Sequence, residues 1–324
     1  MRVVGAAFAV AAFCAASAPS WAIEGSSAAG PIGGTDMRSS LPLPSGLYGG
    51  GVVLAAFAHQ FNDGNGDLIP ALSGLDLSRG RVGPFLIYVP DVKLFGGTIE
   101  LGGTVPAGTE CGHLFEATPK RCINGVGDPY VEVGWARYFG TPRPSAYSGA
   151  YPILEGLAIS LGFGIVVPVG KYNAFDATTQ GLTIGNNIWD FAPIVGFTYT
   201  TRPILAEGTE VTARLFWNNY LTNPATQYST GTLLNVDFAV TEHIGRVQFG
   251  LAGFYTAQVA DDKQFGIPLL PDGRRTRVLD LGGVLAYDLP EYASSMKIKW
   301  LRTVISENNV NAWGVAAAWI RKFH

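Results

Sequence analysis

Hydrophobic and polar residues alternate one by one through the second half of the chain, most plainly between Thr209 and Gln258. In TEVTARLFWNNY, Val211, Ala213, Leu215 and Trp217 share one face, and Glu210, Thr212, Arg214 and Asn218 share the other. In TGTLLNVDFAVT, Leu234, Val236, Phe238 and Val240 oppose Asn235, Asp237 and Thr241. In RVQFGLAGFYTAQ, Val247, Phe249, Leu251 and Tyr255 oppose Gln248, Thr256 and Gln258. Side chains of a strand alternate with period two, so each run predicts a strand with one apolar and one polar face. These runs exceed the about 5–6 residues of an ordinary strand. That length suits tilted strands crossing a membrane.

Extended along the chain, the same pattern predicts strands at residues 47–60, 81–89, 93–105, 128–139, 155–167, 190–201, 276–288, 294–305 and 312–323. With the central three the count is twelve. Short turns fall at residues 90–91, 202–208, 242–245 and 289–293, and longer loops follow Gln60, Val105, Val167, Tyr220 and Gln258. Turns short on one side and loops long on the other mark an antiparallel transmembrane β-barrel of bacterial type, with periplasmic N- and C-termini. Only the connection at residues 140–154 departs from that rule. The last strand carries Trp313, Val315, Ala317, Trp319 and Phe323 on one face, close to the C-terminal aromatic signature by which barrels meet the outer-membrane assembly machinery.

Ahead of the barrel, residues 1–22 have a secretory signal pattern: Arg2, an apolar core from Val3 to Ala16, and Ser20-Trp21-Ala22 as the cleavage site. Phe13 before Cys14 argues against a lipid anchor. Residues 23–45 are rich in Gly, Ser and Pro and are expected to be a flexible segment or partial plug, with the barrel at residues 46–324. Composition agrees with a barrel: charged residues are only 15%, aromatics 12%, and glycines number 42. The formal net charge of −3 leaves no basic surface for nucleic acid. In an exported chain, Cys111 and Cys122 predict one disulfide closing a long loop.

The inward faces present charges of both signs: Glu100, Glu132, Arg214, Asp237, Arg246, Asp280, Lys297 and Lys299. Such charges either pair across a narrow barrel or tune which solutes pass. Trp135, Trp217, Trp313, Trp319, Tyr199 and Tyr255 are placed in lipid-facing girdles. Catalytic signatures fail on spacing. Gly164 to Lys171 has five residues where a phosphate loop needs four, and Tyr172 follows the lysine. No G-x-S-x-G elbow occurs, which leaves His59 as an isolated candidate base. The loop from Asp63 has Leu68 and Gly74 where an EF-type calcium loop needs Gly and Glu. No cofactor or metal is expected.

Several short segments, in order, resemble one family. They are Gly127-Asp128-Pro129 entering a strand and Pro168-Val169-Gly170-Lys171-Tyr172 leaving one. Asn187-x-Trp189, Asn223-x-x-Thr226-x-Tyr228, Gly231, Asp237, Gln258 and Asp261 follow, with Thr230 where the family commonly has Ser. In these residues the chain resembles the phenol meta-pathway degradation transporter family of bacterial outer-membrane β-barrel proteins. The resemblance implies a Gram-negative outer-membrane barrel encoded near aromatic catabolism, and no catalytic residue. The expected function is therefore a non-enzymatic channel for small aromatic or hydrophobic molecules, with membrane lipid and the solute as partners. The alternatives are a filled barrel acting through its loops and, third, a lipid hydrolase.

Overall fold

The computed structural model describes residues 30–31 and 33–323. The signal pattern at residues 1–22 lies outside the described residues, as do residues 23–29. The wall begins with β1 (Gly46–Asn62) and β2 (Asp76–Val89). A two-residue β3 (Lys93–Leu94) then leads to β4 (Gly97–Thr104), β5 (Ala107–His113), β6 (Arg121–Val126) and β7 (Tyr130–Arg143). Next come β8 (Ile153–Val166), β9 (Asp190–Thr200), β10 (Thr209–Tyr220) and a short β11 (Tyr228–Ser229). They are followed by β12 (Leu233–Ile244), β13 (Val247–Gln258) and the small β14 (Lys263–Gln264) and β15 (Ile267–Pro268). The wall ends with β16 (Arg277–Leu289), β17 (Ser294–Glu307) and β18 (Asn309–Lys322).

Each wall strand pairs antiparallel with its neighbours, and β1 pairs with both β18 and β2. Closure depends on two broken strands. β2 pairs with β5 along one half and with β4 along the other, so β4 and β5 form one wall strand and β6 with β7 the next. The result is a closed barrel of twelve strands, which leaves no unpaired edge. Beyond the barrel, β11, β14 and β15 form a separate small sheet on the long-loop end.

The predicted loop between Val105 and Asp128 is largely strand. The ladder is interrupted at Pro106, which has no N–H to donate, and at Gly127-Asp128-Pro129 opposite. It then resumes as the β5–β6 hairpin, with Gly127 N–H bridging the break to the Pro106 carbonyl at 2.7 Å. Cys111 and Cys122 face each other directly in that ladder and are bonded. The disulfide is therefore a pin across two paired strands, and not a closure of a long irregular loop. The irregular connection near residues 140–154 is shortened from both sides by β7 and β8, and the remainder tucks under the short-turn end with Tyr151 buried.

Alternation holds around the wall. Trp217, Trp313, Trp319 and Tyr199 are exposed on the outer face, and Glu210, Thr212, Arg214, Phe216 and Asn218 are buried on the inner face. The lumen has two kinds of lining. Along β18, β1 and β2 it is apolar, built from Tyr48, Val52, Ala56, Phe85, Ile87, Ala312, Ala316 and Ile320. Along β9 to β17 it is mixed, with many polar and charged groups beside buried Ile194, Phe216, Phe254 and Leu301.

Candidate functional site

The site is the lumen, and its central element does not come from the wall. Residues 33–43 run inside the barrel: Thr35, Asp36, Met37, Ser40, Leu41 and Leu43 are all buried. The segment is held along its length by side chains that the alternating strands turn inward. Asp237 of β12 accepts Gly33 N–H at 2.6 Å, and Thr35 N–H and hydroxyl at 2.9 and 2.6 Å. Lys297 and Lys299, two residues apart on the inner face of β17, reach the two oxygens of Asp36 at 2.7 and 2.9 Å. Lys297 also donates to the Gly34 carbonyl at 3.0 Å. Arg38 spans to Asp288 with both terminal nitrogens at 2.9 Å, donates to Gln248, and gives its N–H to Glu210 at 2.9 Å. Ser40 meets Ser160 at 2.8 Å, and Leu43 N–H reaches Glu100 at 3.0 Å.

Each residue expected in the lumen can now be placed. Glu100, Asp237, Lys297 and Lys299 all bind the N-terminal segment. Glu132 and Arg214 do pair across the lumen, with Tyr130 hydroxyl on the second oxygen of Glu132 at 2.6 Å and Phe216 beneath the guanidinium at 5.2 Å. Asp280 is buried beside Thr303, with one oxygen lacking a hydrogen-bond partner among the described residues. Arg246 is a correction. It sits in the β12–β13 turn, where Gly245 at φ +60° reverses the chain at the rim, and it pairs with the exposed Glu291 at 2.9 Å. The turn takes its side chain out of the lumen path.

Neutral groups extend the polar lining. Asn218, Asn235 and Thr256 lie on neighbouring strands, and with Asp190 they form a hydrogen-bonded chain across β9, β10, β12 and β13. The inward parity of these residues is visible in the sequence; their chaining depends on the strand register.

Both ends of the lumen are covered by connections. At the long-loop end, residues 168–189 fold inward, with Leu182, Thr183 and Ile184 buried. Asp128 accepts Gly170 and Asn186 N–H at 2.8 and 2.6 Å, Arg81 donates to the Thr183 and Ile184 carbonyls at 2.8 and 3.1 Å, and Glu110 accepts Thr183 N–H at 2.8 Å. Beside them, Asp262 holds the small sheet by accepting from Tyr228, Gly231 and Gln258, and burial pushes its carboxyl up to about 6 against those donors. At the short-turn end, Glu207 gathers Ser145, Ala146 N–H and Gly245 N–H at 2.8, 2.6 and 2.6 Å. Burial acts to raise that carboxyl, but these donors and nearby Arg143 outweigh it and hold it below its ordinary value.

Over residues 58–319 the sequence matches the family described as "Putative MetA-pathway of phenol degradation". The chain belongs to this family. No curated protein matches it. Its fold is similar to an outer membrane channel from Pseudomonas putida F1, with TM-score 0.71 at 14% identity over 89% of this chain and 99% of that one. The β domain of the Bordetella autotransporter BrkA aligns with TM-score 0.47 at 13% identity, over 85% and 99%. The P. putida toluene transporter TodX gives 0.42 at 9% identity, over 87% and 91%. The last two superpositions are too loose to carry an argument. The first establishes the fold of an outer-membrane barrel.

Proposed function

We propose that this protein is an outer-membrane channel admitting small aromatic or hydrophobic molecules by diffusion, with residues 30–43 acting as a plug. One observation carries the reading. A closed barrel holds in its lumen a segment from outside the wall, gripped mainly by hydrogen bonds and ion pairs. Such contacts can be exchanged for water or solute more readily than a packed apolar core. Family membership and the barrel fold support the solute class and the location. In this reading the short-turn end is periplasmic, residues 1–22 direct export, and the outward apolar band meets lipid. The final strand, β18, presents Phe323 to the assembly machinery. No covalent step is assigned to any residue.

Planar-bilayer conductance of the refolded protein tests this. The full chain should show small or infrequent steps, and a variant lacking residues 30–43 should show larger, steady ones that shrink on adding phenol. A variant that folds as a heat-modifiable barrel yet conducts nothing would favour the filled-barrel alternative, acting through its outer loops.

A further inference from the structure

The lumen contains a carboxylate whose position a solute could take. Asp36 divides its two oxygens between two ammonium groups, Lys297 at 2.7 Å and Lys299 at 2.9 Å, and all three side chains are nine-tenths or more buried. The lysines belong to the wall and the carboxylate to the plug. When the plug leaves, two neighbouring ammonium groups lose their shared counter-ion in surroundings where unpaired charge is costly. Asp237 and Asp280 remain within electrostatic reach of Lys299.

What lies beside these lysines narrows the ligand further. A crevice between plug and wall is lined by Met37, Arg38, Ala286, Lys297, Ala318 and Ile320. With the plug gone, the wall side of that crevice, to which Ser295, Met296 and Trp319 also contribute, is largely apolar next to a cation. That combination suits a flat ring bearing a single acidic head. The two donors already serve the two oxygens of one planar carboxylate, and a phosphate would bring a third oxygen they do not meet.

We propose that Lys297 and Lys299 form a recognition site for the carboxylate of a small aromatic acid, and that Asp36 occupies this site as an internal stand-in while the plug is seated. The inference rests on the reading that residues 30–43 leave the lumen. Solute and plug then compete for the same two cations, so an aromatic acid both binds the channel and helps open it.

The test uses the full chain with benzoate as probe and benzyl alcohol as its neutral counterpart. Ser39 is buried in the plug, and its hydroxyl has no hydrogen-bond partner among the described residues, so Ser39→Cys is a mild change. In the chain processed at residue 22, which lacks Cys14, it adds a free thiol where Cys111 and Cys122 are already bonded to each other. Benzoate should raise its labelling rate by a maleimide by roughly tenfold, and benzyl alcohol should not. Calorimetry on other full-length variants gives a second measure: Asp36→Asn should bind benzoate about tenfold more tightly than the unaltered protein, and Lys297→Met should lose that binding. Equal acceleration by both probes, or unchanged benzoate binding in Lys297→Met, would overturn the proposal. If benzoate releases the plug but no solute current follows, the site stands and the channel reading falls. If neutral aromatics pass while benzoate ignores Lys297, the channel stands and the site falls.

Discussion

The two sides of the lumen solve the same problem by different physics. Along β18, β1 and β2, Tyr48, Val52, Phe85, Ile87 and Ile320 fill the interior by apolar packing, and Leu43 of the plug joins them. From β7 round to β17 the interior is held largely by pairs such as Glu132 with Arg214 and by the plug contacts of Asp237, Lys297 and Lys299. Apolar packing is non-directional and degrades gradually when a methyl group is removed. A buried ion pair is worth little net, but losing one partner leaves the other stranded. The plug combines both regimes, with Met37, Leu41 and Leu43 packed among apolar residues and Asp36 and Arg38 paired.

The comparison is broken most severely on the polar side. Arg214→Met should destabilise the barrel by about 3–5 kcal/mol, because Glu132 is left buried without its cation. Glu132→Gln together with Arg214→Met should recover most of that loss, read as the denaturant midpoint of heat-modifiable migration. If the double variant is as unstable as the single, the distinction between the two linings fails. On the apolar side, Ile87→Val should cost only about 0.5–1.5 kcal/mol in the same assay, with conductance unchanged.

A further, local effect lies outside the membrane. The Asp262 carboxyl is raised from 3.8 to about 6, so it holds its proton more tightly in the folded loop than in the unfolded chain. Its stabilising share is complete below the ordinary value and is lost as pH rises through about 6. Amides around Tyr228 and residues 263–268 should lose exchange protection over that interval, after correction for intrinsic rates. In Asp262→Asn the pH dependence should vanish.

Legibility in the sequence followed the same divide. The polar side announced itself, because Glu210, Thr212, Arg214 and Asn218 alternate with apolar residues, and every one of them faces inward. In β1 both faces are apolar, Val52 inward and Val53 outward, so the pattern gave a strand without saying what its inner face packs against. Lumen charges could be named, but their partners could not. Asp36 and Arg38 stand in a Gly, Ser and Pro-rich stretch that reads as a loose tail, and they meet Lys297 and Asp288 only once the barrel has closed around them. The β5–β6 hairpin was hidden for a local reason: Pro106, Gly108, Gly112, Gly125 and Gly127 all read as turn residues. The ladder accommodates them because each strand finds a partner in the other.

That hairpin has a consequence for how the wall is aligned. Its covalent cross-link ties Cys111 opposite Cys122, and the paired run continues across the break to Thr104 opposite Tyr130 and Gly102 opposite Glu132. A slip of one residue between two strands exchanges every inward side chain for an outward one. Here it would drive Glu100 or Glu132 into lipid. The bond lies in the β5–β6 part of the wall, past the break in the ladder, and it acts as a key cut for a single alignment of two charged strands.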